Sequence, residues 1–127
     1  SLGILYLITF GVYMFFEYFV INRRPVSITG YLEASYPSST TILVLCFMIT
    51  SIYQTNKYCI KIHNRVDLII IQALFIIFMV IGRILSGVHW LTDIVGGIII
   101  SISLINMYQF FDLLINNYQK RAQYLIE

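Results

Sequence analysis

Three ionisable side chains lie close together in the stretch GRILSGVHWLTDIVGG, residues 82–97, between two long apolar runs: Arg83, His89 and Asp93. Residues four apart share one face of a helix, so Asp93 can hold one ring nitrogen of His89. The other nitrogen is then free to attack an electrophile or to accept a proton. The spacing therefore predicts an imidazole–carboxylate pair with a cation beside it.

Two other segments supply groups that suit the same chemistry. Arg24-Pro25 follows the first apolar run, and Pro37-Ser38-Ser39-Thr40 opens the second. Cations, hydroxyls and the free N–H groups of a helix start together favour an anion, and phosphate fits best. We predict catalytic roles for His89 and Asp93 and a phosphate-binding role for a second set of residues. That set is Arg24, Ser38, Ser39, Thr40 and Arg83.

The composition indicates a membrane protein. Of the 127 residues, 59% are hydrophobic and only 11% are charged, whereas a soluble domain has about a quarter charged. The lipid bilayer is therefore an expected partner. The net charge of +2 is too small to indicate nucleic acid. Cys46 and Cys59 suggest neither a disulfide nor a metal site, and no cofactor is expected.

Four apolar segments must position these residues: 1–22, 37–54, 66–82 and 88–115. The runs are too long for strands, and a helix satisfies its own backbone in lipid. We predict an all-α, polytopic membrane helix bundle that forms one domain over residues 1–127. Ser35 is expected to cap the second helix and Pro37 to lie in its first turn.

Alternation of the segments assigns the loops to two faces. The loops at 23–36 and 83–88 share one face with three arginines, whereas the 55–65 loop and the tail share the other. The second face carries five cations, Lys57, Lys61, Arg65, Lys120 and Arg121. The positive-inside rule puts that face in the cytoplasm. The candidate site is then expected at the extracytoplasmic rim of a multi-pass plasma-membrane protein.

The motifs resemble those of the type 2 phosphatidic acid phosphatase (PAP2) superfamily, membrane lipid-phosphate phosphatases related to vanadium haloperoxidases. The family carries K-x6-R-P, P-S-G-H and S-R-x5-H-x3-D. Here the third motif reads Gly82-Arg83-x5-His89-x3-Asp93, the second reads Pro37-Ser38-Ser39-Thr40, and the first keeps Arg24-Pro25 with Glu17 at the lysine position. The resemblance implies two further helices before residue 1, so that four of a probable six spans are present in a fragment.

The resemblance also implies roles. His89 would be the nucleophile that forms a phosphohistidine, Asp93 would orient it, and the phosphate-binding set would hold the phosphoryl oxygens of a phosphorylated lipid. The family's second histidine, which protonates the leaving oxygen, is Thr40 here, and threonine cannot act as a general acid at neutral pH. Glu17 is a candidate substitute as proton donor; a polar lining residue or a partner of Arg24 are the alternatives.

Three functions stay open at this stage. The first is a lipid phosphatase or pyrophosphatase. If it is active, we expect it to prefer lipid diphosphates, because a phosphate leaving group needs less protonation than an alkoxide. The second is a PAP2-like pseudoenzyme that binds a lipid phosphate without turnover. The third is a transport component, although the third segment has only Gln72 as a polar residue inside it. Lys57, His63 and Asp67 repeat the cation–histidine–aspartate spacing on the other face, where a solvated loop is the preferred interpretation.

Overall fold

The computed structural model describes residues 2–27, 30–31, 33–59 and 63–125. The chain forms four helices: α1, Leu2–Tyr18; α2, Ser39–Tyr58; α3, Arg65–Leu85; and α4, Leu91–Tyr124. The described residues contain no strand, which confirms the all-α prediction. Two helices, α3 and α4, are long and apolar enough to cross a membrane, and α1 is a shorter apolar helix of 17 residues. The number of spans stays a prediction.

The core forms where α1, α2 and α4 meet. It contains the buried residues Leu5, Ile42, Cys46, Leu104, Ile105 and Tyr108. Helix α2 contacts all three other helices, most extensively α4 and α3. By contrast, no side chain of α3 is buried, although α3 is the more apolar of the two long helices. The bundle therefore has one well-packed side and one helix with a bare apolar surface.

The start of α2 differs from the prediction. Ser38, not Ser35, is the N-cap, and Pro37 lies before the helix after a cis peptide bond. The Ser38 hydroxyl accepts hydrogen bonds from the Thr41 backbone N–H at 3.4 Å and from the Thr41 hydroxyl at 2.9 Å. A serine side chain next to the first turn satisfies a backbone donor that has no partner in the helix. Ser35 is thereby left for another role.

The end of α1 also differs from the prediction. The helix ends at Tyr18, so Glu17 and Arg24 do not lie on one continuous helical face. Arg24 instead belongs to a loop that doubles back on itself. Within this loop, Arg23 forms an antiparallel bridge with Ala34, and the Ser35 backbone N–H donates to the Asn22 carbonyl at 2.8 Å. The loop carries Ser35 towards the start of α4.

Two glycines of α4 let this loop approach closely. A Cβ at Gly96 would lie 2.6 Å from the Tyr36 hydroxyl oxygen, and one at Gly97 would lie 3.2 Å from the Ser38 carbonyl oxygen. A normal side chain at Gly96 would therefore overlap the Tyr36 ring. The Ser38 backbone N–H also donates to the Asp93 carbonyl at 3.0 Å. These contacts fix the segment before α2 against the start of α4.

The opposite end of the bundle holds a second polar cluster, which the sequence did not indicate. Lys57 of α2 lies 2.5 Å from the Asp112 carboxylate of α4, and Tyr53 donates to the same oxygen at 2.9 Å. The sequence interpretation placed Lys57 in a solvated loop. In the structure Lys57 belongs to α2 and forms an ion pair with a residue of α4. Lys61, a cation used to assign the cytoplasmic face, lies outside the described residues.

Candidate active site

His89 lies in the short connection between α3 and α4, and its side chain is buried. Its Nδ1 is 3.2 Å from the Ser35 carbonyl oxygen, and its Nε2 is 3.1 Å from Nη2 of Arg83. A guanidinium only donates hydrogen bonds and a carbonyl only accepts them. Nδ1 therefore carries the hydrogen, and Nε2 presents its lone pair. This is the tautomer that a nucleophilic Nε2 requires.

Asp93 is fully buried in the first turn of α4. Its Oδ2 accepts from the Trp90 backbone N–H at 2.9 Å and from the Ser35 hydroxyl. The distance from Oδ2 to His89 Nδ1 is 3.8 Å, which is too long for a hydrogen bond. Asp93 thus lies beside the imidazole as the spacing predicts, but the predicted direct bond to a ring nitrogen is absent and Ser35 lies between them.

The two arginines are held by different partners. Nη2 of Arg83 donates to the Thr40 hydroxyl at 2.6 Å as well as contacting His89. Arg24 forms an ion pair with Glu33 at 3.3 Å, not with Glu17, which had been one alternative for that carboxylate. The Nε atoms of both arginines are buried and have no hydrogen-bond partner among the described residues. Buried donors are nearly always satisfied, so each of these N–H groups is available to an acceptor, and Arg24 lies on the wall of the cavity beside His89.

A cavity of about 130 Å³ opens beside His89. Its wall includes Glu17, Arg24, Glu33, Ser39 and His89. A water molecule takes about 30 Å³ of liquid volume, so the cavity has room for a group of a few heavy atoms. One guanidinium, one imidazole and two carboxyl groups therefore share a polar space, and Arg83, which contacts Nε2 of His89, lies outside its wall.

The electrostatics keep the imidazole neutral. Burial lowers the pKa of His89 from its ordinary value of 6.5, and the charges of Arg83 and Arg24 lower it further. Asp93 and the Ser35 carbonyl oppose this shift in pKa but do not reverse it. His89 is therefore a free base near neutral pH, which is the form that can attack an electrophile.

The structure brings most of the predicted residues together. His89, Arg83 and Thr40 form one hydrogen-bonded group that Ser35 connects to Asp93, while Arg24, Ser39 and Glu17 line the cavity. Ser38 is fully buried and its hydroxyl serves the helix cap, so Ser39 presents the nearer hydroxyl to an anion. The roles of all these residues stay predictions.

Three residues of the site were missed from the sequence: Ser35, Glu33 and Trp90. The Trp90 indole N–H donates to the Arg23 carbonyl at 2.9 Å and ties the loop to the start of α4. Ser35 contacts residues distant in sequence, Glu33 pairs with Arg24 across the loop, and no local pattern marks either of them. The one signal is that Ser35 and Glu33 lie between two motifs that must meet.

The fold and the site describe an all-helical protein in which a buried histidine contacts one arginine and shares a cavity wall with a second. The model of the PAP2 superfamily matches residues 6–115, and the chain belongs to this superfamily. The motif resemblance is thereby confirmed. Members of the superfamily generally hydrolyse phosphate esters. Comparison with curated proteins and with solved structures finds no match.

Proposed function

We propose that this protein is an integral-membrane lipid phosphatase or pyrophosphatase that works through a phosphohistidine at His89. The observation that carries the proposal is the environment of Nε2. This atom carries no hydrogen and accepts from the Arg83 guanidinium at 3.1 Å, and His89 lines a polar cavity that an anion could enter. Arg83 and Arg24 each keep one buried N–H without a partner among the described residues, and phosphate oxygens are suitable acceptors.

The reaction has two displacements. In the first, the Nε2 lone pair attacks phosphorus, a P–N bond forms, and the bond from phosphorus to the leaving oxygen breaks. In the second, water attacks the phosphohistidine, which releases phosphate and restores the imidazole. The charge that develops on the transferred phosphoryl oxygens is stabilised by Arg24 and Arg83, fixed cations of the kind that supply much of the catalysis in such reactions.

Protonation of the leaving oxygen decides the substrate class. Thr40 accepts a hydrogen bond from Arg83 and offers no acidic proton. Glu33 is committed to Arg24, whereas Glu17 lines the same cavity as His89, so Glu17 is the proposed proton donor. The group that leaves from a lipid diphosphate is a lipid monophosphate, which needs less protonation than the alkoxide that leaves from a lipid monophosphate. We therefore propose a preference for lipid diphosphates over lipid monophosphates.

The lipid part of the substrate is proposed from the surface of the bundle. Helix α3 buries none of its side chains, and Ile71, Leu74 and Phe78 are among its exposed apolar residues. Such a surface suits acyl chains and not water. The positive-inside rule, applied to the cations of the chain, supports the proposal that the histidine end lies at the outer membrane face. A lipid phosphate in the outer leaflet would then reach the cavity at headgroup level.

The test is phosphate release by the purified protein in detergent, with a prenyl diphosphate and phosphatidic acid offered side by side. The diphosphate should turn over faster, and His89→Ala should abolish release from both. Faster turnover of phosphatidic acid would contradict the substrate preference. Full activity of His89→Ala would exclude the phosphohistidine.

A second candidate function is lipid-phosphate binding without turnover. It is favoured by two observations: a threonine stands at the position of the family's acid, and Glu33 already occupies one face of Arg24. Saturable binding of a prenyl diphosphate that Arg24→Ala and Arg83→Ala weaken, with no phosphate released by the unaltered protein, would establish this function instead.

A further inference from the structure

Ser35 lies between the carboxylate and the imidazole of the site. Its hydroxyl donates to Oδ2 of Asp93, while the same hydroxyl oxygen is 3.4 Å from Nδ1 of His89. Its carbonyl oxygen is 3.2 Å from Nδ1. All three residues are buried. A hydroxyl has one hydrogen and two lone pairs, so one serine side chain can link the Nδ1–H group to the carboxylate.

The direct contact between the carboxylate and the imidazole is weaker. Asp93 Oδ2 lies 3.8 Å from Nδ1, and the other carboxylate oxygen, Oδ1, has no hydrogen-bond partner among the described residues. The carboxylate is therefore oriented by two donors, the Ser35 hydroxyl and the Trp90 backbone N–H, and not by the imidazole. Hydrogen-bonded chains in a low-dielectric interior polarise one another.

We propose that Ser35 is a positioning residue that couples Asp93 to His89, so that the carboxylate acts on the nucleophile through the serine hydroxyl. This inference rests on the proposed phosphohistidine chemistry for its catalytic consequence. When Nε2 bonds to phosphorus, the ring gains positive charge and Nδ1–H becomes a stronger donor. The Ser35 hydroxyl then passes the stabilising effect of the Asp93 charge to the ring.

The backbone carbonyl and the hydroxyl of Ser35 have separable tasks. The carbonyl accepts from Nδ1 and is sufficient to fix the tautomer, and it survives any substitution of the side chain. The hydroxyl matters only for the link to Asp93. Ser35→Ala should therefore leave the Nε2 lone pair in place and lower kcat by about 10–100-fold, the loss seen at metal sites when the hydrogen-bond partner of a ligating histidine is removed. KM should change little.

A double-mutant cycle separates coupling from a purely structural role. Asp93→Asn should lower kcat at least as much as Ser35→Ala, and the double variant should be no slower than Asp93→Asn alone, because the serine acts through the carboxylate. Ser103→Ala is the matched control: Ser103 is an exposed serine on α4 that donates to its own helix at 3.0 Å. Its kcat should equal that of the unaltered protein. Additive losses in the double variant would contradict the coupling.

An NMR titration of His89 tests the inference even if no substrate is turned over. The charged groups that face the ring are Arg83 from α3, Arg24 from the loop and Asp93 from α4, with Glu17 and Glu33 on the shared cavity wall. Ser35→Ala weakens the effect of Asp93 alone and should lower the pKa of His89.

Three controls complete the titration. Ser103→Ala should leave the pKa of His89 unchanged, His63→Gln assigns the resonance, and the Ser35→Ala, Asp93→Asn double variant should lower the pKa no further than Asp93→Asn. An equal pKa of His89 in the Ser35→Ala variant and the unaltered protein overturns the inference. Absence of phosphate release from the unaltered protein, with the pKa lowered in Ser35→Ala, would instead reject the proposed function and keep the coupling.

Discussion

The Arg83 guanidinium contacts Nε2 of His89 at 3.1 Å and the Thr40 hydroxyl at 2.6 Å through the same nitrogen, Nη2. One cation therefore joins the end of α3, the start of α2 and the loop before α4. The contact holds the imidazole with its lone pair towards a positive charge. A phosphoryl group that approaches Nε2 would meet the guanidinium at the same time.

Substitution of Arg83 should remove transition-state stabilisation. Arg83→Ala is expected to lower kcat by about 10²–10³-fold, as loss of a single oxyanion donor does elsewhere. Arg83→Lys should recover only part of this loss, because an ammonium lacks the buried Nε–H that the guanidinium keeps available for a phosphate oxygen. The measurement is steady-state phosphate release. Arg121→Ala, at the far end of α4, is the control, and a normal kcat for Arg83→Ala would remove Arg83 from the mechanism.

Thr40→His should restore the missing acid. The position is partly buried and adjacent to Arg83, and a general acid contributes about 10²–10⁴-fold when the leaving group is poor. Hydrolysis of phosphatidic acid should therefore rise more than hydrolysis of a prenyl diphosphate. Thr40→Asn, which adds a polar group without a titratable proton, should not produce this change. If Thr40→His and Thr40→Asn changed the hydrolysis of each substrate by the same factor, Thr40 would not face the leaving oxygen.

The convergence of Arg83, His89 and Asp93 could be predicted because they lie close together in the chain. Arg83 is at the end of α3, His89 in the short connection and Asp93 at the start of α4. Arg24 and Thr40 followed from the alternation of apolar segments, which places their loops on one face. Ser35 and Glu33 could not be predicted, since their positions depend on the bridge between Arg23 and Ala34 and on the contact of Tyr36 with Gly96. Pairings of this kind are set by tertiary packing and leave no local periodicity.

The lowered pKa of His89 has a consequence for the pH dependence. Burial and two arginines disfavour the protonated ring, so the acid limb of kcat/KM should lie below pH 6.5, the ordinary value for histidine. Stability should follow the same sign. Below the unfolded-state pKa of about 6.5, His89 is protonated in the unfolded chain but still neutral in the folded chain. The free energy of unfolding therefore falls with decreasing pH.

This effect is measured by thermal melts in detergent between pH 5 and pH 8, a range that includes the ordinary histidine pKa of about 6.5. His89→Asn should flatten the acid side of the stability profile, and His63→Gln, at an exposed position, should not. A kcat/KM profile whose acid limb lies above the ordinary histidine pKa would contradict the expected direction.

Gly96→Ala should disturb the site through Tyr36. A Cβ at Gly96 would lie 2.6 Å from the Tyr36 hydroxyl oxygen, so the ring must move, and Tyr36 lines the cavity next to Ser35. We expect kcat to fall with only a modest change in melting temperature. Gly11→Ala is the matched control, because a Cβ at Gly11 of α1 meets nothing within 4 Å and alanine favours a helix by up to about 1 kcal/mol. Equal kcat values for the two variants would mean that Tyr36 moves without consequence for the site.

Asp112→Ala should separate stability from activity. Asp112 is buried and pairs with Lys57, whose side chain is 25% exposed, at 2.5 Å. Removal of the carboxylate leaves the ammonium and the Tyr53 hydroxyl without their acceptor, at a cost of about 1–3 kcal/mol in the free energy of unfolding. Because the cluster joins α2 to α4 at the end opposite His89, kcat of the folded fraction should be unchanged. Asp67→Ala, at an exposed carboxylate in the first turn of α3, should alter neither quantity. A loss of kcat in folded Asp112→Ala would show that the two ends of the bundle are coupled through α2 and α4.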